Sequence, residues 1–442
     1  MGEAYRLRYT QNSYAVVSRL PEELLAEVFL YVVESGIQDN NSRFSTGTFS
    51  FLQVCKYWNK VAVGFPQLWR RWVADAVKAW SLFHSRSKDT PLSLTWRPRL
   101  ANFALANINP GIPKRICQLD FDGTSEQLAQ LLGAFDLNSS DVSFLRLQIS
   151  PYDSREPRED LIHFLSSSFP KLSYLALVDF FSDPSSPVFT SSSLTSLKLS
   201  LPYLKETHYT LSQFSQILQQ HSNLQELDLS RGAMPLPGQS SPLAHLILPR
   251  LAILRLWGSD VAILGLIDLI GLSSPLQDVV IRFGYDATRT ALDVARAAKK
   301  TLVAYHGRQG LNYPREIHHL TISYNVEGQR LAFHTRSRPA PAPDLRSNFK
   351  LQFDGTSERG GEAAVKETFP LLPVGSIREF TAEGPAICGD QYSWMLQKME
   401  DLSHLRLNKQ DILPMLRAFD SDNQGLFRVI RKTTSIHPCT HR

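Results

Sequence analysis

The residue types that could do chemistry in this chain are few, and their spacing assembles none of the usual sites. His318 and His319 are adjacent in a stretch that reads as a strand, so their rings fall on opposite faces and cannot share a metal. His437, Cys439 and His441 alternate in the C-terminal tail, which offers ligand types but no framework to hold them. Asp120 and Asp122 share one face of a predicted strand, as paired carboxylates for acid–base work would. With no companion base or cleft they read as a solvated face. The cluster Glu358-Arg359-Gly360-Gly361-Glu362 lacks the Gly-x4-Gly-Lys spacing that lets backbone N–H groups cradle a phosphate. Neither a Gly-x-Ser-x-Gly elbow nor a His-Glu-x-x-His helix occurs. The expectation is a protein that is not an enzyme, with no catalytic residue, no metal site and no cofactor.

Composition narrows the class further. The 442 residues are 43% hydrophobic and 20% charged, ordinary globular material with room for more than one domain. The net charge of +5 comes from 47 basic residues dispersed among 42 acidic ones, in runs no longer than Arg70-Arg71 or Lys299-Lys300. A nucleic-acid binder concentrates its charge on one face, so no nucleic-acid partner is expected. The four cysteines, Cys55, Cys117, Cys388 and Cys439, share no close spacing and suggest neither disulfide framework nor zinc site. With no signal-like N-terminus and no stretch approaching a membrane span, the expected setting is intracellular, cytoplasmic or nuclear, with no membrane partner.

Two kinds of element carry the remaining information. The first runs from Leu20 to Trp69. Pro21 opens a helix at no cost in hydrogen bonds, and Glu22 and Glu23 suit the positive end of its dipole. Leu20, Leu24, Leu25, Val28, Phe29 and Val32 then recur with helical spacing. A second helix is read from Phe51, Val54, Cys55, Trp58, Val61 and Ala62, ending at Phe65-Pro66 before Leu68-Trp69. Between them, residues 33–50 are polar and rich in Gly, Asn and Ser, and read as a long connection. So apolar a unit of about fifty residues cannot bury all its own surface and needs a partner.

The order of these residues resembles an F-box, most closely the F-box-like domains of mushroom-forming fungi. The resemblance covers about fifty residues and implies docking to the adaptor subunit of a cullin–RING (SCF) ubiquitin ligase, and through it a cullin. The docking residues it implies are Leu20, Pro21, Leu24, Leu25, Val28, Phe29, Val54, Cys55, Trp58, Val61, Pro66, Leu68 and Trp69.

The second element is a repeat of apolar positions at offsets 0, 3 and 5. It begins at Ile116, Val142, Leu172, Leu194, Leu224, Leu251, Leu276, Ile317 and Leu402. Weaker copies occur at Leu351-x-Phe353 and Ile377-x-x-Phe380, and a half-match at Leu92-x-Leu94. From 116 to 402 the mean step is about 29 residues, within the leucine-rich-repeat range. Helices are read between copies at 125–134, 158–166, 211–220, 261–271 and 291–302, with Thr124 as a candidate N-cap. A further helix, 70–86, would join the N-terminal unit to the repeats, burying Trp72, Val73, Val77, Trp80 and Phe83. Segments 183–193, 231–241 and 335–348 read as loops, and Ser186-Pro187 as the start of a turn.

The body therefore resembles leucine-rich-repeat F-box proteins. It departs from them where regular repeats carry Asn or Cys: here those positions are Thr124, Phe180, Pro202, Gly232, Ser259 and Gly284. The expected fold is α/β: an N-terminal helical F-box-like module, then an irregular leucine-rich-repeat solenoid with a curved parallel sheet and outer helices. The expected domains are a disordered tail at 1–15, the module at 16–75, the solenoid at 76–425 and a C-terminal tail at 426–442. The geometry implied by the resemblance puts offsets 2, 4 and 6 on the open sheet. Glu226, Asp228, Arg255, Trp257, Arg282, His319, His404 and Arg406, with Ile253, Asp278, Thr321 and Asn408 among them, are thus candidates for binding a protein substrate. The resulting expectation is a substrate-recognition subunit of an SCF-type ligase. The alternatives are a repeat scaffold with no ligase role and an enzyme whose site is built from loops.

Overall fold

The computed structural model describes residues 16–39, 49–73, 80–97, 115–134, 141–150, 163–179, 182–201, 209–235, 246–271, 276–283, 296, 317–325, 330–337, 347–354, 365–366, 369–372, 377–383, 389–407 and 435–438. The chain divides into two compact units, Met1–Ser193 and Leu194–Arg442. Each is a mixture of helices and largely parallel strands.

In the first unit, α1 spans Glu22–Asp39 and carries Glu22 and Glu23 in its first turn, as the dipole favours. It is longer than expected: residues 33–39, read as part of the polar connection, continue the helix, and Val33 is buried. The second helix is shorter than expected. Ser50–Gln53 is a 3-10 turn, and α2 is Lys56–Gly64. Cys55 is its N-cap, with the thiol accepting from the Trp58 N–H at 3.5 Å. A further 3-10 turn, Pro66–Trp69, begins on the proline.

The expected 70–86 helix is not formed as a whole. Arg71–Val73 is a strand, β1, and the helix α3 is confined to Trp80–Ser87. Two β-compatible residues, Trp72 and Val73, take the place in a ladder that helical periodicity had assigned to a turn. Trp72 and Phe83 are buried as expected, whereas residues 74–79 lie outside the described residues. Next come β2 (Leu92–Trp96), β3 (Ile116–Gly123), helix α4 (Ser125–Ala134), β4 (Phe144–Ile149) and β5 (Tyr174–Val178). All five strands pair in parallel, in sequence order. Thr124 does cap α4: its Oγ1 accepts the Gln127 N–H at 3.2 Å, and Gln127 Oε1 accepts the Thr124 N–H at 3.0 Å. This is a reciprocal capping box. Ser186 opens the 3-10 turn Pro187–Thr190, and its buried hydroxyl donates to the Leu165 carbonyl at 2.8 Å. It is a turn residue, as read.

In the second unit, β6 (Ser196–Leu201), β7 (Glu226–Arg231), β9 (Ile253–Gly258) and β11 (Asp278–Phe283) are successive parallel neighbours. Between β6 and β7 in sequence runs α5 (Leu211–Gln219), capped by a Thr210/Gln213 box, and between β9 and β11 runs α6 (Asp260–Leu269), capped by Ser259. The helices approach so closely that a Cβ on Gly265 would stand 3.1 Å from Leu211. The helix expected to reach Gly271 stops at Leu269, because Ile270–Gly271 (β10) pairs in parallel with Leu246–Ile247 (β8). At offsets 0, 3 and 5, Leu224, Leu227, Leu229, Leu251, Leu254, Leu256, Leu276, Val279 and Ile281 are all at most 2% exposed. The offset-0 residue lies in the turn before each strand, which is how a 0-3-5 pattern coexists with strand alternation. Leu224 N–H, for example, donates to the His221 carbonyl.

The series then breaks its order. The strands β12 (Ile317–Asn325), β13 (Arg330–Ser337) and β14 (Ser347–Asp354) form an antiparallel meander. It is inserted with β14 against β11 and β12 against β15 (Glu379–Glu383). After β15 come α7 (Gly389–Lys398), β16 (His404–Leu407) and β17 (Ser435–Pro438), the last two parallel to β15 and to each other. Three expectations are corrected here. The segment 335–348 is not wholly a loop, since its ends belong to β13 and β14. The copy at Ile317 does not follow that at Leu276 in space. Within the C-terminal tail, 435–438 is a strand.

Candidate interaction surfaces

The N-terminal helices are held by an aromatic cluster. Phe29 stacks on Phe51 with centroids 4.3 Å apart and meets the Trp58 ring at 5.2 Å. Phe49 stacks on Trp69 at 5.2 Å, and Phe83 stands edge-on to both. Trp69 donates its indole N–H to the Ala62 carbonyl at 2.8 Å, while Trp72 donates to the Trp69 carbonyl. Tyr57 Oη donates to the Leu20 carbonyl at 2.9 Å, pinning the start of α1 to α2, and Arg70 reaches Glu34 at 3.1 Å. Phe29 therefore packs as the two-helix reading requires.

That packing divides the thirteen expected docking residues. Leu25, Phe29, Val61, Leu68 and Trp69 are core, each at most 5% exposed, and present no surface to a partner. Leu20, Cys55, Trp58 and Pro66 are half-buried. Pro21, Leu24, Val28 and Val54 are exposed. The stripe is longer than the sequence pattern indicated: along α1, Leu24 is 55% exposed, Val28 47%, Tyr31 74% and Val32 41%. Spacings of four, three and one place these on one helical face, which adjoins the face of the buried Leu25, Phe29 and Val33. Tyr31 and Val32 lie outside the expected docking set, which on this helix ends at Phe29.

The second surface lies on the β6–β7–β9–β11 sheet. Register sets Ser196, Glu226, Ile253 and Asp278 in one row, Lys198, Asp228, Arg255 and Val280 in the next, and Ser200, Ser230, Trp257 and Arg282 in a third. Glu226 accepts from Ser196 Oγ at 2.8 Å, Lys198 Nζ at 2.9 Å and Arg255 at 2.7 Å. Arg255 uses its other terminal nitrogen on Asp278 at 2.8 Å. Burial disfavours the ionised Glu226, but hydrogen bonds from Lys198 and Ser196 and the neighbouring positive charges outweigh it and hold its carboxyl below the usual range. Asp228 goes the other way: burial raises its pKa, only partly offset by the charges of Lys198 and Arg255. The Arg282 guanidinium lies over the Trp257 ring at 4.0 Å, a cation–π contact.

The structure thus brings Glu226, Asp228, Arg255, Trp257 and Arg282 together. His319 and His404 share the register row of Asp278, but β14 and β13 intervene. That puts His319 three strand spacings, roughly 14 Å, from Asp278. His404 Nδ1 lies 2.9 Å from Ser403 Oγ. The side chains of His319 and Arg406 and the whole of Asn408 lie outside the described residues.

A smaller charged group was missed in the first unit. Asp120 is not a solvated carboxylate: Arg97 and Arg146 reach its two oxygens at 2.9 and 2.7 Å. Arg146 sits opposite Asp120 in the β3–β4 register, a pairing that only the repeat alignment could have signalled. Among the described residues no three His, Cys, Asp or Glu side chains gather as metal ligands, and no helix is long and apolar enough to cross a membrane. No family model matches this chain, and no curated protein matches it in sequence.

Proposed function

We propose that this protein is a substrate-recognition subunit of an SCF-type ubiquitin ligase, an F-box-like module joined to an irregular leucine-rich-repeat solenoid. The observation that carries the reading is the α1 stripe: Leu24, Val28, Tyr31 and Val32 stand exposed beside a face on which Leu25, Ala26, Phe29 and Val33 are buried. Such a contiguous apolar face is what a docking helix presents. The sheet surface of the second unit would hold a target protein. No residue here need be catalytic, because holding a target near the ubiquitin-charged enzyme raises its effective concentration.

The test is co-purification with recombinant SCF adaptor after Leu24→Glu and Val28→Glu, two changes at exposed positions of α1. Trp58 is less suited to substitution, since its ring packs on Phe29. Loss of adaptor with an unchanged melting temperature supports the assignment. Retention of adaptor refutes it. A second reading, the repeat scaffold with its N-terminal helices as a cap, is favoured by the hydrogen bond from Trp72 to the Trp69 carbonyl, which ties the module to β1. It predicts no adaptor binding at all.

A further inference from the structure

The β6–β7–β9–β11 face is neutral in formal charge, with Lys198, Arg255 and Arg282 against Glu226, Asp228 and Asp278, but its charges are not used evenly. Both cations flanking Asp228 lean away from it, Lys198 to Glu226 and Arg255 to Glu226 and Asp278. Asp228 is left half-buried between them, and no other described side chain hydrogen-bonds its carboxylate. Two residues on along β7, Ser230 shares its face and stands opposite Trp257 in register. An anionic partner received by Arg255 would have to break that residue's two ion pairs. A cationic partner at Asp228 breaks no ion pair, and it would add a direct bond to a carboxylate whose burial the charges of Lys198 and Arg255 only partly offset.

We propose that this face binds a protein segment that presents a Lys or Arg side chain to Asp228, with the Ser230 hydroxyl as a second acceptor and the Trp257 indole as a wall for its methylene stem. The recognition class is thus a basic side chain on a polypeptide, and the proposal rests on the reading of this chain as a substrate receptor. Carboxylate and hydroxyl supply acceptors for an ammonium or guanidinium, and an aromatic flank suits the apolar stem such side chains carry.

The experiment uses the full-length chain and a displayed library of random short peptides, followed by binding titrations of selected peptides and their Lys→Gln or Arg→Gln counterparts. The expected result is selection of peptides with a required Lys or Arg and at least about a tenfold loss of affinity in Asp228→Asn, as for removing one partner of a charge pair. Asp122→Asn, a carboxylate of the first unit, should leave affinity unchanged. The melting temperature of Asp228→Asn should match or exceed that of the parent protein, so that lost binding is not lost folding. Absence of selected peptides, selection of acidic or phosphorylated ones, or full affinity in Asp228→Asn would overturn the proposal. The Leu24→Glu/Val28→Glu protein should bind the same peptides. If the parent protein fails to bind adaptor while the Asp228 dependence holds, the ligase reading falls and the basic-segment surface stands.

Discussion

The α1 stripe and the β6–β7–β9–β11 face are both exposed, and they differ in what they lack. On α1 the apolar side chains of Leu24, Val28, Tyr31 and Val32 are only partly covered by the described residues, so the helix keeps a free-energy incentive to be covered further. On the sheet, most polar groups already satisfy one another: Glu226 alone accepts from Ser196, Lys198 and Arg255. An uncovered apolar stripe favours strong, constitutive association. A mostly self-satisfied charged face gains little by generic contact and discriminates through the group left over, here Asp228.

The largest expected effect tests whether the two faces of α1 are as distinct as their exposure implies. Phe29→Ala removes the ring that stacks on Phe51 and meets Trp58, and should cost about 3–5 kcal/mol of stability in urea unfolding, as large core truncations do. Val28→Ala, on the other face, should cost under about 0.5 kcal/mol in the same measurement. Equal costs would mean that the stripe is core. On the sheet, Arg255→Met strips Glu226 and Asp278 of a shared partner and should cost about 2 kcal/mol, measured by the same unfolding. A cost near zero would mean the ladder is too solvated to order the face.

Gly258→Ala probes the packing behind Trp257. A Cβ there would stand 2.5 Å from Met234 Cγ, so a loss of about 1–2 kcal/mol in thermal unfolding is expected. The smallest effects have opposite signs in pH. Glu226, with its pKa depressed, contributes stability above the ordinary Glu range that is lost as pH falls through its folded value. Glu226→Gln should therefore be worst near neutrality and converge on the parent protein in acid. Asp228, with its pKa raised, costs stability as pH rises through the carboxylate range. Asp228→Asn should therefore gain on the parent protein over that rise. Urea titrations at acid and neutral pH read both.

The same two regions show what was legible in the sequence. The 0-3-5 pattern located β3, β4, β5, β6, β7, β9 and β11, because burial at those offsets is a local consequence of a strand following a turn. What it could not give was spatial order. Ile317 fits the pattern as well as Leu276 does, yet β14 lies beside β11, because strand neighbours are chosen by long-range pairing that no period encodes. In the N-terminal helices the apolar positions were legible, but which of them face inward was not. Leu24 and Leu25 are equally apolar, yet Leu25 is fully buried and Leu24 is 55% exposed, a difference set by which face of α1 the rest of the module packs against. Likewise Asp120 looked solvated until register placed Arg146 beside it.

The most direct test of the central claim is a calorimetric titration of recombinant SCF adaptor into the parent protein and into the Leu24→Glu/Val28→Glu protein, with melting temperatures of both. The account predicts measurable binding by the parent, a loss of about a hundredfold or more in the variant, as for removal of hot-spot residues, and indistinguishable melting temperatures. Undiminished binding by the variant, or none by the parent, would contradict it.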